Sequence, residues 1–164
     1  MRSRARSGAS TTPLFAFIAV ATFGAVIAAL VSQHVFGMEP CPWCVLQRII
    51  FVAIGVLALL GLVWRAPAGG RVAGTLALLL ALAGIAAALW QQLVAAKSAS
   101  CNLTLADRIV GATQLDHLVP EVFEARASCA DAAVSLLGVP YAYWSAAVFV
   151  VCALVLLRIV RLSA

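Results

Sequence analysis

Long apolar runs separated by short polar segments dominate this sequence. The runs are unbroken and rich in alanine and leucine, which favours helices over the alternating pattern of membrane-spanning strands. Each run is close to the ~20 residues that a helix needs to cross the hydrocarbon of a bilayer. We therefore predict an all-α integral membrane four-helix bundle. We expect a single domain, residues 1–164, with helices at about 14–31, 45–64, 72–90 and 141–157.

Composition agrees with a membrane protein, since 65% of the 164 residues are hydrophobic and 10% are charged, a balance outside the range of soluble globular domains. A net charge of +5 is compatible with nucleic-acid binding, but the basic residues are scattered over three membrane edges and no polar domain carries them. We expect a lipid bilayer, and no nucleic acid, as a partner. The first apolar run exceeds the ~7 to 15 residues of a signal-peptide core, so we expect a permanent anchor.

Most of the arginines lie at the opposite end of the predicted helices from the acidic residues. Because lysine and arginine near membrane ends stay on the cytoplasmic side, we predict that both termini are cytoplasmic. A short loop at about 32–44 and a long loop at about 91–140 then face the outside. The arginines at the cytoplasmic helix ends are Arg2, Arg4, Arg6, Arg65, Arg71, Arg158 and Arg161, and the acidic residues of the outer loops are Glu39, Asp107, Asp116, Glu121, Glu124 and Asp131.

Four of the five cysteines fall in the two outer loops. Cys41 and Cys44 lie in the short loop, Cys101 and Cys129 lie in the long loop, and Cys152 lies inside the fourth helix. An even set of thiols in an oxidising compartment indicates disulfides. We interpret Cys152 as a packing residue, because a free cysteine in an apolar helix behaves as a small hydrophobe.

The segment Cys41-Pro42-Trp43-Cys44 has the two-residue spacer of dithiol oxidoreductases. We expect Cys44 to open the second helix, where free backbone N–H groups and the helix dipole stabilise a thiolate. Arg48 follows four residues later on the same helix face. An arginine in an apolar helix costs roughly 2.5 to 3.5 kcal/mol at the bilayer centre, so we expect a partner for it, either the Cys44 thiolate or a polar carbonyl compound. The alternative is that its side chain extends to the lipid headgroups.

Cys101 and Cys129 are 28 residues apart in the long loop. A purely structural bridge would stabilise such a loop by about 3 to 4 kcal/mol. Beside a Cys-x-x-Cys segment, however, a second outer pair favours a relay in which electrons pass between disulfides by successive thiol exchange.

Apolar residues recur at helical spacing in the same loop, which predicts an amphipathic stretch. Such a face could lie on the membrane or pack within the loop, and the pattern does not distinguish the two. Pro120 interrupts the stretch and is expected to open a second short turn. The apolar positions are Leu115, Leu118, Val119, Val122 and Phe123.

Four cysteines with His34 and His117 could in principle supply zinc ligands. Structural zinc usually uses two close ligand pairs, whereas Cys101 and Cys129 are far apart, and an oxidising compartment favours disulfides. We therefore predict no metal site.

Taken together, the sequence resembles the bacterial DsbB disulfide bond formation proteins along almost its whole length. The features that carry the resemblance are the four-helix layout, the segment Glu39-Pro40-Cys41-Pro42-Trp43-Cys44 with Arg48, the pair Cys101 and Cys129, the stretch 115–123, and Leu137-Gly138-Val139-Pro140 before the fourth helix.

The resemblance implies a quinone-dependent disulfide oxidoreductase of the bacterial inner membrane. It would reoxidise a periplasmic DsbA-type thioredoxin-like protein and pass the electrons to the membrane quinone pool, ubiquinone or menaquinone. The implied disulfides are Cys41–Cys44 and Cys101–Cys129. Cys101 would form the mixed disulfide with the partner, Cys41 would accept electrons from Cys129, and Cys44 would face the quinone beside Arg48.

The chain departs from some relatives near the implied quinone site. It has Gln47 where relatives can carry an acidic residue, and Gln91 and Gln92 where some place a histidine. Gln92 is a candidate for hydrogen bonding a quinone oxygen; the alternative is a polar residue that ends the helix.

Two alternative functions are open to test. A vitamin K epoxide reductase-like protein also combines a Cys-x-x-Cys with a loop pair, but in that family the Cys-x-x-Cys comes late in the chain, whereas here it comes first. A non-enzymatic four-helix membrane scaffold with structural disulfides would need neither reactive thiols nor Arg48.

Overall fold

The computed structural model describes residues 4–64, 67–97 and 104–163. Within these residues four helices are long and apolar enough to span a membrane. They are α1 (Arg4–Phe36), α2 (Pro42–Val63), α3 (Pro67–Leu93) and a C-terminal helix, Tyr141–Leu162. The predicted all-α four-helix membrane bundle is confirmed.

The helix boundaries differ from the predicted ones, because hydropathy detects only the part of a helix that lies in hydrocarbon. α2 begins at Pro42, not at residue 45, since proline needs no hydrogen-bond partner for its nitrogen at the first helical position. Cys41 is the residue that caps α2, so Cys44 lies within the first turn and does not open the helix. Because α1 continues to Phe36, the short connection is residues 37–41 and not 32–44.

Small residues allow the helices to approach closely. On α3 a buried stripe of Ala77, Ala81, Gly84 and Ala88 faces the bundle, which is the usual way in which helices associate in membranes. Phe51 of α2 and Phe149 of the C-terminal helix stack at 3.9 Å between ring centroids. Their stack fills the middle of the bundle.

The long connection contains a 3₁₀ turn, Ala95–Lys97, and three short helices: α4 (Leu105–Thr113), α5 (Leu115–Leu118) and α6 (Pro120–Phe123). Thr104 caps α4 in a reciprocal arrangement with Asp107. The expected break at Pro120 is confirmed, since α6 begins there. Of the predicted apolar positions, Leu118 and Val119 are exposed while Phe123 is buried, so the choice between membrane contact and packing within the loop stays open.

A minimal hairpin precedes the last helix, which is α7 (Tyr141–Leu162). The strands β1 (Ser135–Leu136) and β2 (Val139–Pro140) pair antiparallel. This hairpin lies outside the apolar runs, all of which are helical as predicted. Two-residue strands are too short to leave an alternating pattern, and the positive φ angles of Leu137 and Gly138, 55° and 79°, make the tight turn.

Candidate functional site

Two thiols meet at the start of α2. Cys41 caps the helix, and its sulfur accepts the backbone N–H of Cys44 at 3.4 Å. The two Sγ atoms lie 2.8 Å apart, and both residues are free thiols in the structure. The Pro42-Trp43 spacer thus forms the first turn of the helix and holds the two sulfurs side by side.

A third thiol, Cys129 of the long connection, lies above this turn. It shares a hydrogen bond with Cys41, and the backbone N–H of Trp43 donates to it. The connection is held there by main-chain bonds from Arg126 N and Ala127 N to Pro40 O, at 2.9 and 3.3 Å. Three predicted site cysteines are therefore in one row, with Cys41 in the middle.

The fourth predicted site cysteine, Cys101, lies outside the described residues, so its pairing with Cys129 stays a prediction. The fifth, Cys152, is fully buried in α7. His34 and His117 are both exposed.

The central thiol of this row, Cys41, holds its proton more strongly than Cys129 does. Hydrogen bonds to Cys129 and Cys44, together with burial, raise the pKa of Cys41 above its usual range. The hydrogen bond from Cys41, with the N–H of Trp43, lowers the pKa of Cys129 although burial opposes this. Cys129 is therefore the thiol of this pair that ionises first, and a thiolate is the form that attacks disulfides.

Cys44 has a separate set of partners inside the bundle. The side-chain amide of Gln91, near the end of α3, donates from Nε2 to Cys44 Sγ at 3.1 Å. The other end of this amide, Oε1, accepts a hydrogen bond from Gln47 Nε2 at 2.6 Å. The structure thus places Gln91, and not its predicted neighbour Gln92, against the thiol.

Arg48 is buried, with 6% of its surface exposed, so its side chain does not extend to the bundle surface. Its Nη1 donates to Gln33 Oε1 at 2.7 Å and to the carbonyl oxygen of Val122 at 2.9 Å. Its Nη2 lies 3.4 Å from the carbonyl oxygen of Ala29. These bonds join α1, α2 and α6 around one cation.

A partly open cavity of about 60 Å³ lies between these groups. Cys44, Gln47, Arg48 and Gln91 form its polar side, and Phe51 contributes an apolar wall. The remaining lining residues include the hydroxyl-bearing Ser32, Tyr141 and Ser145. The cavity therefore places hydrogen-bond donors and an aromatic wall beside one thiol.

A larger apolar groove of about 680 Å³ lies beside another face of α2. Trp43 and Trp90 line it, with ring centroids 6.4 Å apart. Its described lining residues include no cysteine and no charged side chain. The thiol chemistry is therefore associated with the smaller cavity.

Gln33 and Gln91 were not predicted as buried partners from the sequence, and Gln47 was not connected with either of them. A signal for Gln91 was present in the sequence. The buried small residues of α3 follow one another at alternating steps of four and three residues, and Gln91 is the next position in that series. Gln33 similarly extends the buried face of α1 that includes Ile18 and Thr22. Buried positions of this kind in a membrane helix are functional candidates when they carry polar groups.

Comparison with known proteins identifies the family of this chain. A family model described as disulfide bond formation protein DsbB matches residues 11–159. Disulfide bond formation protein B of Ralstonia nicotianae is 37% identical over 156 residues, which cover 90% of this chain and 92% of that protein. Disulfide bond formation protein B of Aromatoleum aromaticum is 36% identical over 140 residues, 83% of this chain and 84% of that protein.

A further relative is disulfide bond formation protein B 1 of Pseudomonas aeruginosa, which is 33% identical over 147 residues, 87% of this chain and 90% of that protein. The family match runs from within α1 to within α7 and includes the three thiols of the row, Cys41, Cys44 and Cys129. The chain therefore belongs to the DsbB family of membrane disulfide bond formation proteins.

Proposed function

We propose that this chain reoxidises a DsbA-type thioredoxin-like protein and passes the electrons to a membrane quinone, ubiquinone or menaquinone. The observation that carries the proposal is the position of Cys41. Its sulfur lies 2.8 Å from that of Cys44, and the preceding residue, Pro40, accepts two main-chain hydrogen bonds from the segment that leads to Cys129. Two successive exchanges through such a row would connect an outer partner with the cavity beside Arg48.

The exchanges begin at the pair Cys101 and Cys129. A thiolate of the reduced partner attacks Cys101 in the disulfide Cys101–Cys129, forms the mixed disulfide and releases Cys129 as a thiolate. Cys129 then attacks Cys41 in the disulfide Cys41–Cys44, which forms the bond Cys41–Cys129 and releases Cys44 as a thiolate. The lowered pKa of Cys129 supports its role as the nucleophile.

In the last steps of the exchange, Cys101 and Cys129 form their disulfide again. The second thiol of the partner attacks its own sulfur in the mixed disulfide, so the partner leaves oxidised and Cys101 leaves as a thiolate. Cys101 then attacks Cys129 and releases Cys41. The net result is one disulfide gained by the partner and one lost between Cys41 and Cys44.

The residues around the cavity fit a quinone. The guanidinium of Arg48 has five N–H groups, and its three bonds within the bundle leave donors for a ring oxygen. Phe51 offers a flat apolar wall, and the hydroxyl of Tyr141 lines the same space. A quinone bound here would supply a two-electron, two-proton acceptor for the dithiol of Cys41 and Cys44.

Arg48 has two roles in this proposal. Its positive charge favours the anionic form of Cys44, with which it interacts electrostatically. Its bonds to Gln33 and to Val122 fix the guanidinium relative to the cavity. A buried cation held by neutral groups in this way stays available for charge that develops nearby.

The location follows from the same proposal. We place the chain in the bacterial inner membrane with both termini in the cytoplasm and the thiols in the periplasm. The distribution of arginine supports this orientation, because Arg71, Arg158 and Arg161 all lie at the bundle end opposite the cysteines.

The test is quinone-dependent oxidation of a reduced DsbA-type protein by the purified full chain. We expect turnover by the wild type and none by Cys44→Ser or Cys101→Ser. Cys152→Ala is the matched control, because it removes a thiol that is remote from the row, and it should retain turnover. A wild-type chain that is inert with quinone present would overturn the proposal and favour the membrane scaffold.

A further inference from the structure

Two buried glutamine amides and Cys44 form a chain of hydrogen bonds. Gln47 Nε2 donates to Gln91 Oε1 at 2.6 Å, and Gln91 Nε2 donates to Cys44 Sγ at 3.1 Å. Gln47 is 3% exposed and Gln91 is 5% exposed. Because buried amides without partners are costly, each contact restricts the orientation of the next amide.

The orientation of the Gln91 amide decides what Cys44 meets. An amide has a donor end and an acceptor end, and the two ends have nearly the same shape. With Gln47 donating to the oxygen of Gln91, the nitrogen of Gln91 is directed at the sulfur. With the opposite orientation the oxygen would face the sulfur, and two acceptors would oppose each other whenever Cys44 is a thiolate.

We propose that Gln47 is a positioning residue that holds the donor end of the Gln91 amide against Cys44. The proposal rests on the proposed function, in which Cys44 leaves as a thiolate when the disulfide Cys41–Cys44 opens. Gln91 stabilises this leaving group directly through an N–H bond to charged sulfur. Gln47 donates to Gln91 and acts on the sulfur through that residue.

The neutral character of the pair is part of the inference. Two amides carry no charge to titrate, so the orientation of the donor is independent of pH. Arg48, the neighbour of Gln47 in the chain, supplies the positive charge at the same cavity. The hydrogen-bond donor, Gln91, and the positive charge, Arg48, are thus different residues. Each can be removed by its own substitution.

The experiment measures the reactivity of Cys44 without partner or quinone. In a full chain with Cys41→Ser, Cys101→Ser, Cys129→Ser and Cys152→Ala, Cys44 is the one thiol left. Its alkylation by iodoacetamide at a fixed neutral pH reports the thiolate fraction. We expect Gln91→Met and Gln47→Met each to slow alkylation, Gln91→Met by about tenfold, because the thiolate loses a charge-assisted bond.

The double variant distinguishes positioning from packing. If Gln47 acts through Gln91, then adding Gln47→Met to Gln91→Met should slow alkylation no further. Thr22→Val is the matched control, because it removes a buried hydrogen bond of α1 that is remote from Cys44, and it should leave the rate unchanged. Effects that multiply in the double variant, or an unchanged rate in Gln47→Met, would overturn the proposal.

Failure of this inference is separable from failure of the proposed function. Wild-type turnover with quinone, combined with unchanged alkylation in both glutamine variants, would remove the positioning role and leave the oxidase intact. Slowed alkylation in the variants of an otherwise inert chain would support the hydrogen-bond series while removing the oxidase. The two results are obtained from separate assays on the same full-length protein.

Discussion

The two ends of the helical bundle are held together by different contacts. At the end that carries Cys41 and Cys44, which we call the cysteine end, buried amide and guanidinium groups join the helices. At the opposite end, side chains press against glycine backbones. A Cβ atom on Gly61 would lie 2.6 Å from Phe15 Cε1, and Gly61 therefore marks a direct contact of α2 with α1.

The two ends therefore have different tasks: one carries the reacting groups, and the other holds the helices together. In lipid no hydrophobic force drives helices together, so close packing at small residues has to supply much of the association. Buried polar networks are costly when incomplete but fix one geometry when complete. We infer that the opposite end stabilises the bundle, while the cysteine end uses its hydrogen bonds to orient reacting groups.

Substitution at the cysteine end should have the largest effect on activity. Arg48→Leu removes the cation beside Cys44 and leaves the acceptors Gln33 Oε1 and Val122 O without their donor. We expect turnover at limiting quinone to fall by about ten- to a hundredfold, the usual worth of bonds to a charged group. Helical content by circular dichroism should be retained.

Arg158→Leu is the matched control for this change, since it removes the same charge from an exposed site near the end of α7. It should turn over at the wild-type rate. Unchanged turnover of Arg48→Leu at limiting quinone would sink the assignment of Arg48 and, with it, the functional contrast between the two ends.

Substitution at the opposite end should weaken the fold and spare the chemistry. In Gly61→Ala the new methyl group meets the ring of Phe15, which is 1% exposed and belongs to the buried core. Overpacking of this kind typically costs about 1 to 3 kcal/mol. We expect a lower thermal unfolding midpoint in detergent, with unchanged turnover per folded molecule.

Gly24→Ala controls for the loss of a helical glycine, because nothing lies within 4 Å of a Cβ atom there. Alanine also has the higher helix propensity, so its midpoint should be equal or higher. A Gly61→Ala protein as stable as the wild type would contradict the view that close packing at this end holds the helices together.

The helices could be predicted from the sequence, but their ends could not. Each apolar run has the length that hydrocarbon requires, so four helices followed directly. The first turn of α3 contains Gly69 and Gly70, which a propensity argument assigns to a loop. In the structure Gly69 packs against the ring of Trp64, a contact that no local pattern contains.

The site was predictable where neighbours share one helix. Cys44 and Arg48 are four residues apart, so their common face followed from helical geometry. The choice between Gln91 and Gln92 did not, because adjacent residues differ by about 100° around a helix and the register depends on α3 packing. The approach of Cys129 to Cys41 depends on main-chain bonds from residues 126 and 127 to Pro40, which are remote in sequence.

The smallest effect should come from the contact between the long connection and the cysteine end. The pKa of Cys129 lies below its usual value mainly because Cys41 donates a hydrogen bond to it. In reduced chains that carry Cys101→Ser, the alkylation rate of Cys129 should therefore rise with pH and level off earlier than for an ordinary thiol. Cys41→Ala removes the larger cause and leaves the N–H of Trp43 in place.

The midpoint of this profile should consequently move to higher pH in Cys41→Ala, and alkylation at neutral pH should slow. Site-resolved mass spectrometry measures this midpoint, because the method distinguishes Cys129 from the other thiols. Cys152→Ala is the control, and its midpoint should not move. An unmoved or lower midpoint in Cys41→Ala would mean that Cys41 does not donate to Cys129. The row of three thiols would then end at Cys41, and the cysteine end would have to exchange electrons with the long connection only after a rearrangement.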